Sequence, residues 1–108
     1  MPLTRDFRRT VQARAARDPA FREALFQEAV QSLLQGDIDA GRAGMRDYIN
    51  ATVGFEKLGV TLGRPQKSLM RMFGPSGNPT AENLLGVIGV LQAETGVHLE
   101  VRVVADAA

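Results

Sequence analysis

Along most of this 108-residue chain, apolar positions return every three or four residues; only near the end does the period shorten to two. The first spacing marks helix faces buried on a core, the second an extended segment with two unlike sides. Leu3, Phe7 and Val11 predict a first helix whose other faces carry arginines. Asp18-Pro19 predicts the start of a second, with aspartate as cap and proline in the first turn. It runs to about Gln35, with a wide stripe of Phe21, Leu25, Phe26, Ala29, Val30, Leu33 and Leu34, and Gly36 closes it. Asp37 caps a third, which places Ile38, Met45, Tyr48, Ile49 and Val53 on one side. Gly41 and Gly44 cost that helix about 1 kcal/mol each relative to alanine, and they let a neighbour approach closely. Tyr48 is expected as a core ring with its hydroxyl at the surface.

Residues 55–74 read as two short helices joined by a tight turn. Leu58 and Leu62 mark the first, and Leu69, Met72 and Phe73 the second. Gly63 falls at the turn, where a glycine takes a positive φ without steric cost. Gly59 falls where the second helix has to cross. Pro65 opens that second helix, and its outward face reads Gln66, Lys67, Met70 and Arg71. Such a face fits a DNA major groove; it equally fits the solvated side of an ordinary helical hairpin. Residues 74–79 form a loop dense in turn residues. Thr80 then caps a last helix, with Leu84, Leu85, Ile88, Leu91 and Gln92 on its packed side and Gly96 at its end. Gly86 and Gly89 predict close packing there. In the tail, Val97, Leu99, Val101 and Val103 alternate with His98, Glu100 and Arg102, which predicts one strand. A lone strand needs a partner, supplied by a second copy or another protein; the alternative is an extended tail packed on the helices.

Charge sharpens this outline by its distribution, since the formal net charge is only +1. Arg5, Arg8, Arg9, Arg14 and Arg17 stand against Asp6 alone in the first helix. Asp18, Glu23, Glu28, Asp37 and Asp39 then stand against Arg22. Lys57, Arg64, Lys67 and Arg71 occupy a run, residues 57–81, with no acid. A local basic run is the electrostatic footprint of a nucleic-acid face. The first helix reads as a surface helix with a solvated basic side, or as an arm for phosphate or an acidic partner, including the acidic segment that follows it.

Candidate chemistry adds little. There is no cysteine, hence no disulfide framework and no thiolate metal site. His98, the only histidine, lies on the polar side of the tail, and Ser68 and Ser76 have no histidine nearby in sequence. Asp37 and Asp39 look like a helix cap without further ligands for a metal. The 74–79 loop lacks the glycine spacing and lysine of a phosphate-binding loop. No cofactor and no enzymatic activity are therefore expected. Without a signal-peptide core or a membrane-length apolar run, a cytoplasmic protein with no membrane partner is the default.

Residues 37–94 resemble the Cro/repressor-type (XRE) helix-turn-helix. Leu58, Gly59, Leu62, Gly63, Leu69 and Met72 match its apolar, small and turn positions, and Asn78-Pro79-Thr80 with Leu84, Leu85 and Leu91 resembles its next helix. One departure is Arg64, which stands where the motif normally carries an aliphatic plug. More narrowly, residues 46–56, Lys67-Ser68-Leu69, the stretch Gly74-Pro75-Ser76-Gly77-Asn78-Pro79-Thr80 and the ending Leu99-Glu100-Val101 are similar to HigA-like addiction-module antitoxins.

That resemblance implies a homodimer that binds operator DNA and represses its own operon, and commonly neutralises a RelE/HigB-type toxin. The expected fold is mainly α: a compact helical bundle holding a Cro/repressor-type helix-turn-helix and one C-terminal β-strand paired between chains. Residues 1–36 form a helical extension, 37–96 the helix-turn-helix core and 97–108 the strand and tail, all in a single folded unit. The expected DNA-binding residues are Arg64, Gln66, Lys67, Ser68, Arg71, Ser76 and Asn78. Gln suits adenine and Lys or Arg guanine, while Arg64, Ser76 and the loop amides near Gly77 and Asn78 suit phosphates. Leu99, Val101 and Val103 form the dimer or partner strand. A solitary regulator without a toxin, or a pure protein-interaction module, is the alternative. An RNA binder is disfavoured because no aromatic residues are interleaved with the basic ones of the recognition segment.

Overall fold

The computed structural model describes residues 5–107, and Leu3 lies outside them. Six helices follow in order: α1 (Arg5–Arg17), α2 (Pro19–Leu34), α3 (Ile38–Ala51), α4 (Phe55–Leu62), α5 (Gln66–Met72) and α6 (Ala81–Thr95). Three of them start where a side chain satisfies a first-turn amide that has no partner inside its helix. The amide of Phe21 donates to Asp18 Oδ1 at 3.1 Å, that of Ala40 to Asp37 Oδ1 at 3.2 Å, and that of Asn83 to Thr80 Oγ1 at 3.1 Å. Arg22 caps the far end of α1, donating to the carbonyls of Ala15 and Ala16.

The most extensive helix contact is between α2 and α3. It depends on small residues: a Cβ at Gly44 would lie 2.8 Å from the Cβ of Ala29. Beside that contact Phe26 stacks on Tyr48, ring centroids 4.2 Å apart and 6° from parallel. Such a pair adds about 0.5–1.5 kcal/mol beyond the area it buries. One buried cluster runs on through Met45, Ile49, Phe55, Leu58, Leu69, Phe73, Val87 and Leu91. Because Phe26 and Ala29 belong to it, the N-terminal extension shares a core with the helices that follow. The Cα radius of gyration, 13.8 Å, is close to the roughly 13 Å of a compact chain this size. The fold is thus compact and mainly helical. No helix among the described residues is long and apolar enough to cross a membrane.

Four expectations need correction. No strand forms among the described residues, and 97–107 take no regular secondary structure. A ladder needs a second row of amides and carbonyls, and one chain offers none. The two-residue alternation is expressed instead as docking: Val97 and Leu99 pack on the helices while His98 and Glu100 face out. The Leu99 amide donates to Gln92 Oε1 at 2.9 Å, and Val101, Val103 and Val104 are left exposed. Second, Tyr48 is buried whole, its hydroxyl end beside Thr95 of α6. Burial pushes this phenol above its ordinary range, with only partial relief from Thr95. Third, on α6 Val87 is buried and Leu85 is exposed. Gly86 and Gly89 pack on nothing within 4 Å, because the helix turns them to the open side. Fourth, Ile38 and Leu34 lie at the helix ends, exposed rather than in the core.

Candidate nucleic-acid interface

The turn between α4 and α5 follows from two glycines. Gly63 adopts φ 66°, ψ 35° and ends α4, and the amide of Arg64 then bonds back to the Gly59 carbonyl at 2.9 Å. A Cβ at Gly59 would lie 2.7 Å from the Arg64 carbonyl oxygen, so the backbone of the turn rests directly on α4. Pro65 caps α5 in an extended conformation, and the helix itself starts one residue later, at Gln66. Leu69 is completely buried and Met72 half-buried. Gln66, Lys67, Ser68, Met70 and Arg71 are all exposed.

Arg64 does not act as a plug. Its side chain is exposed and lines a hollow of about 260 Å³ with Leu62, Leu69, Met72, Glu82, Asn83, Gly86 and Val87. That hollow is an open notch between α5 and α6. Arg71 lies at the opposite end of α5. It lines a separate hollow of about 360 Å³ with Met70, Ser76, Arg46 and Asn50. Of the expected residues, Arg71 and Ser76 thus come together and Arg64 stands apart. Lys57, part of the acid-free run in sequence, is paired in space with Glu94 of α6, Nζ to Oε2 3.1 Å. The tail residues belong to another surface: Val97, His98, Leu99 and Glu100 line a hollow with Glu23, Phe26 and Gln27 of α2.

The loop after α5 is held by a residue that the hydrophobic pattern does not single out. Arg42 of α3 is only 9% exposed. Its Nη1 donates to the Gly77 carbonyl at 3.0 Å and its Nη2 to the Pro75 carbonyl at 2.9 Å. The same Nη2 meets Asp39 Oδ1 at 2.9 Å. These bonds turn two loop carbonyls inward, while Ser76 and Asn78 are left exposed. Gly77 is pressed so closely on the end of α5 that a Cβ would collide with the Met72 carbonyl oxygen. Its amide is already committed to the Gly74 carbonyl at 2.9 Å, so it is not a phosphate donor; the expectation of a free amide there fails because the loop closes on itself. The available signal for Arg42 was its spacing from Arg46, one helical turn apart on the same face of α3.

One acid among the described residues is buried, on the side of α3 that meets α1. Asp47 is 6% exposed and accepts a 3.3 Å hydrogen bond from Gln12 Nε2 of α1. Burial pushes its carboxyl above the ordinary range, and Gln12, Arg46 and Arg8 pull it part of the way back. Comparison with family models, with curated proteins and with solved structures finds no match for this chain.

Proposed function

We propose that the chain is a sequence-specific DNA-binding repressor in which α5 enters the major groove. The observation that carries this reading is the outward side of α5. Gln66, Lys67, Ser68 and Arg71 stand free of the core, on a helix held in place by Leu69, and no acidic residue lies between positions 57 and 81. Gln66 and Lys67 sit in the first turn and reach base edges, while Arg71 contacts a base or phosphate one turn on. Arg64, Ser76 and Asn78 set the register through the backbone. Nothing in this scheme calls for catalysis or a cofactor.

One helix of seven residues reads too few base pairs for an operator. A two-fold dimer spaces two such helices roughly 34 Å apart and reads a palindrome. Val101, Val103 and Val104 are 80%, 95% and 70% exposed, and an extended apolar tail of this kind gains cover by adding to a second chain. The tail strand, with Leu99 at its start, is thus proposed to pair between two copies. The resemblance to HigA-like antitoxins extends the proposal to autorepression and to neutralisation of a RelE/HigB-type ribonuclease toxin in the cytoplasm. The same exposed tail supports the second reading, a protein-interaction module without DNA binding.

Fluorescence anisotropy with the DNA upstream of the chain's own reading frame separates the two readings. Arg71→Ala should weaken binding to that duplex by roughly 1–3 kcal/mol and relax discrimination against scrambled DNA. Equal, weak affinity of the wild-type chain for every duplex would reject sequence-specific binding.

A further inference from the structure

The basic residues of α1 take no part in base reading by α5. Arg5, Arg8, Arg9 and Gln12 recur at helical spacing on one side of α1, and the exposed Asp6 lies at its margin, ~100° around the axis from Arg5 and ~60° from Arg9. The rotation of α1 is set by packing: Ala15 is completely buried, and Gln12 bonds to Asp47 of α3. This fixes the arginine side beside Arg46, and Arg5, Arg8, Arg9, Gln12 and Arg46 line one hollow of about 280 Å³. Arg8 and Arg46 also line the next one, with Arg42 and its partner Asp39, Phe73, Gly74 and Pro75. Arg46 lines a third, with Arg71 and Ser76. Three hollows that share Arg46 thus link the arginines from the start of α1 to Arg71 near the end of α5.

Little acid is present to neutralise them. Asp39 is paired with Arg42, and Asp47, buried under Gln12, attracts Arg46 and Arg8 without a direct ion pair. The ion pairs among the described residues engage Arg14, Arg42 and Lys57, and none involves Arg5, Arg8, Arg9 or Arg46. Arg14, at the other end of α1, pairs with Asp18 and lies over the Phe21 ring, 4.5 Å from its centroid. The helix thus splits into a half turned to its own fold and a half turned outward.

We propose that Arg5, Arg8 and Arg9 of α1, with Arg46 of α3, grip the phosphate backbone of the same duplex that α5 reads, beyond the base pairs α5 covers. This rests on the DNA reading of α5. The grip is electrostatic and indifferent to sequence. It adds affinity and footprint, and α5 keeps the discrimination. It also gives α1 and α2 a reason to be rigidly attached to the helices after them, because a backbone grip must keep register with the reading helix.

The test uses the full chain and a fluorescein-labelled duplex carrying its own upstream DNA, with a scrambled duplex of equal length. Binding is measured across a series of salt concentrations for wild type, for the combined R5Q/R8Q/R9Q variant and for R71A. Each phosphate that a variant no longer neutralises should reduce the slope of log K against log salt by about 0.9. The triple variant should lose affinity equally on both duplexes, and its deficit should vanish on a duplex trimmed to the α5 footprint. R5K/R8K/R9K should restore the slope, since a point charge suffices for a phosphate. A wild-type slope in the triple variant, with R71A still weakened, overturns the α1 assignment and leaves the α5 reading standing; it would redirect the arginines to an acidic protein segment. No binding by the wild-type chain to either duplex removes both. Matching far-ultraviolet CD melting curves establish that the variants fold.

Discussion

Replacing Arg42 with methionine tests how the loop beside α5 is held. Methionine keeps most of the side chain's length and apolar stem while deleting the guanidinium. Two charge-assisted hydrogen bonds disappear, to the carbonyls of Pro75 and Gly77 at 2.9 and 3.0 Å. Bonds of that type contribute about 1.5–3 kcal/mol each when the acceptor is left buried. The pair with Asp39 adds little, because that carboxylate is 90% exposed and exposed pairs contribute at most about 1 kcal/mol. Residues 74–79 lie at the surface, so the freed carbonyls can swing into water and recover part of the loss. A net destabilisation of about 2 kcal/mol follows, which for a domain of this size lowers the melting temperature by roughly 10 °C. Thermal unfolding followed by far-ultraviolet CD measures it. With Ser76 and Asn78 no longer held, affinity should fall on operator and scrambled duplexes alike. Arg42→Lys, which reaches one carbonyl at a time, should lie between. A melting temperature within ~2 °C of wild type would refute the clamp.

Gly77→Ala puts a methyl group against the Met72 carbonyl; it should cost roughly 1–3 kcal/mol by forcing the backbone apart, seen as a lower urea midpoint at unchanged m-value. Asp47→Asn should raise the melting temperature at neutral pH. The folded carboxyl is shifted upward by burial, so it opposes folding above its folded pKa. That penalty fades as pH falls through the folded value, and the two melting curves should converge in acid; a gap constant with pH would contradict it. Truncation after Glu100 retains the docked residues Val97 and Leu99 and removes the exposed valines. It should shift the chain from dimer to monomer in light scattering, and an unchanged mass would exclude the tail as the dimer element.

The local features are legible in the sequence. Asp18, Asp37 and Thr80 cap their helices and Gly63 takes the left-handed turn, because a cap or a turn is decided by residues three or four apart. The face of α5 is legible for the same reason. Arg42 is not: its two loop carbonyls lie 33 and 35 residues away, and in sequence it is one more cation on a glycine-bearing helix. The pattern places Tyr48 in the core correctly but not its hydroxyl, since Thr95 comes from another helix. Val87 and Leu85 both fit a helical period, and only the direction from which α4 meets α6 separates them. In the tail, alternation encodes which side chains face the protein. It does not encode a ladder, which needs a partner strand.

Leu69 is the only residue of α5 that the core fully encloses, and the side chains at 64, 66, 67, 68 and 71 are all exposed. Substitutions at such exposed positions shift stability by less than about 0.5 kcal/mol. On the proposed DNA reading, what this face recognises can therefore be rewritten without re-solving how the chain folds. Chains differing at one of these five positions would share one core and nearly one melting curve while presenting different faces, so on the proposed DNA reading a drift in target and a loss of fold become separate evolutionary events.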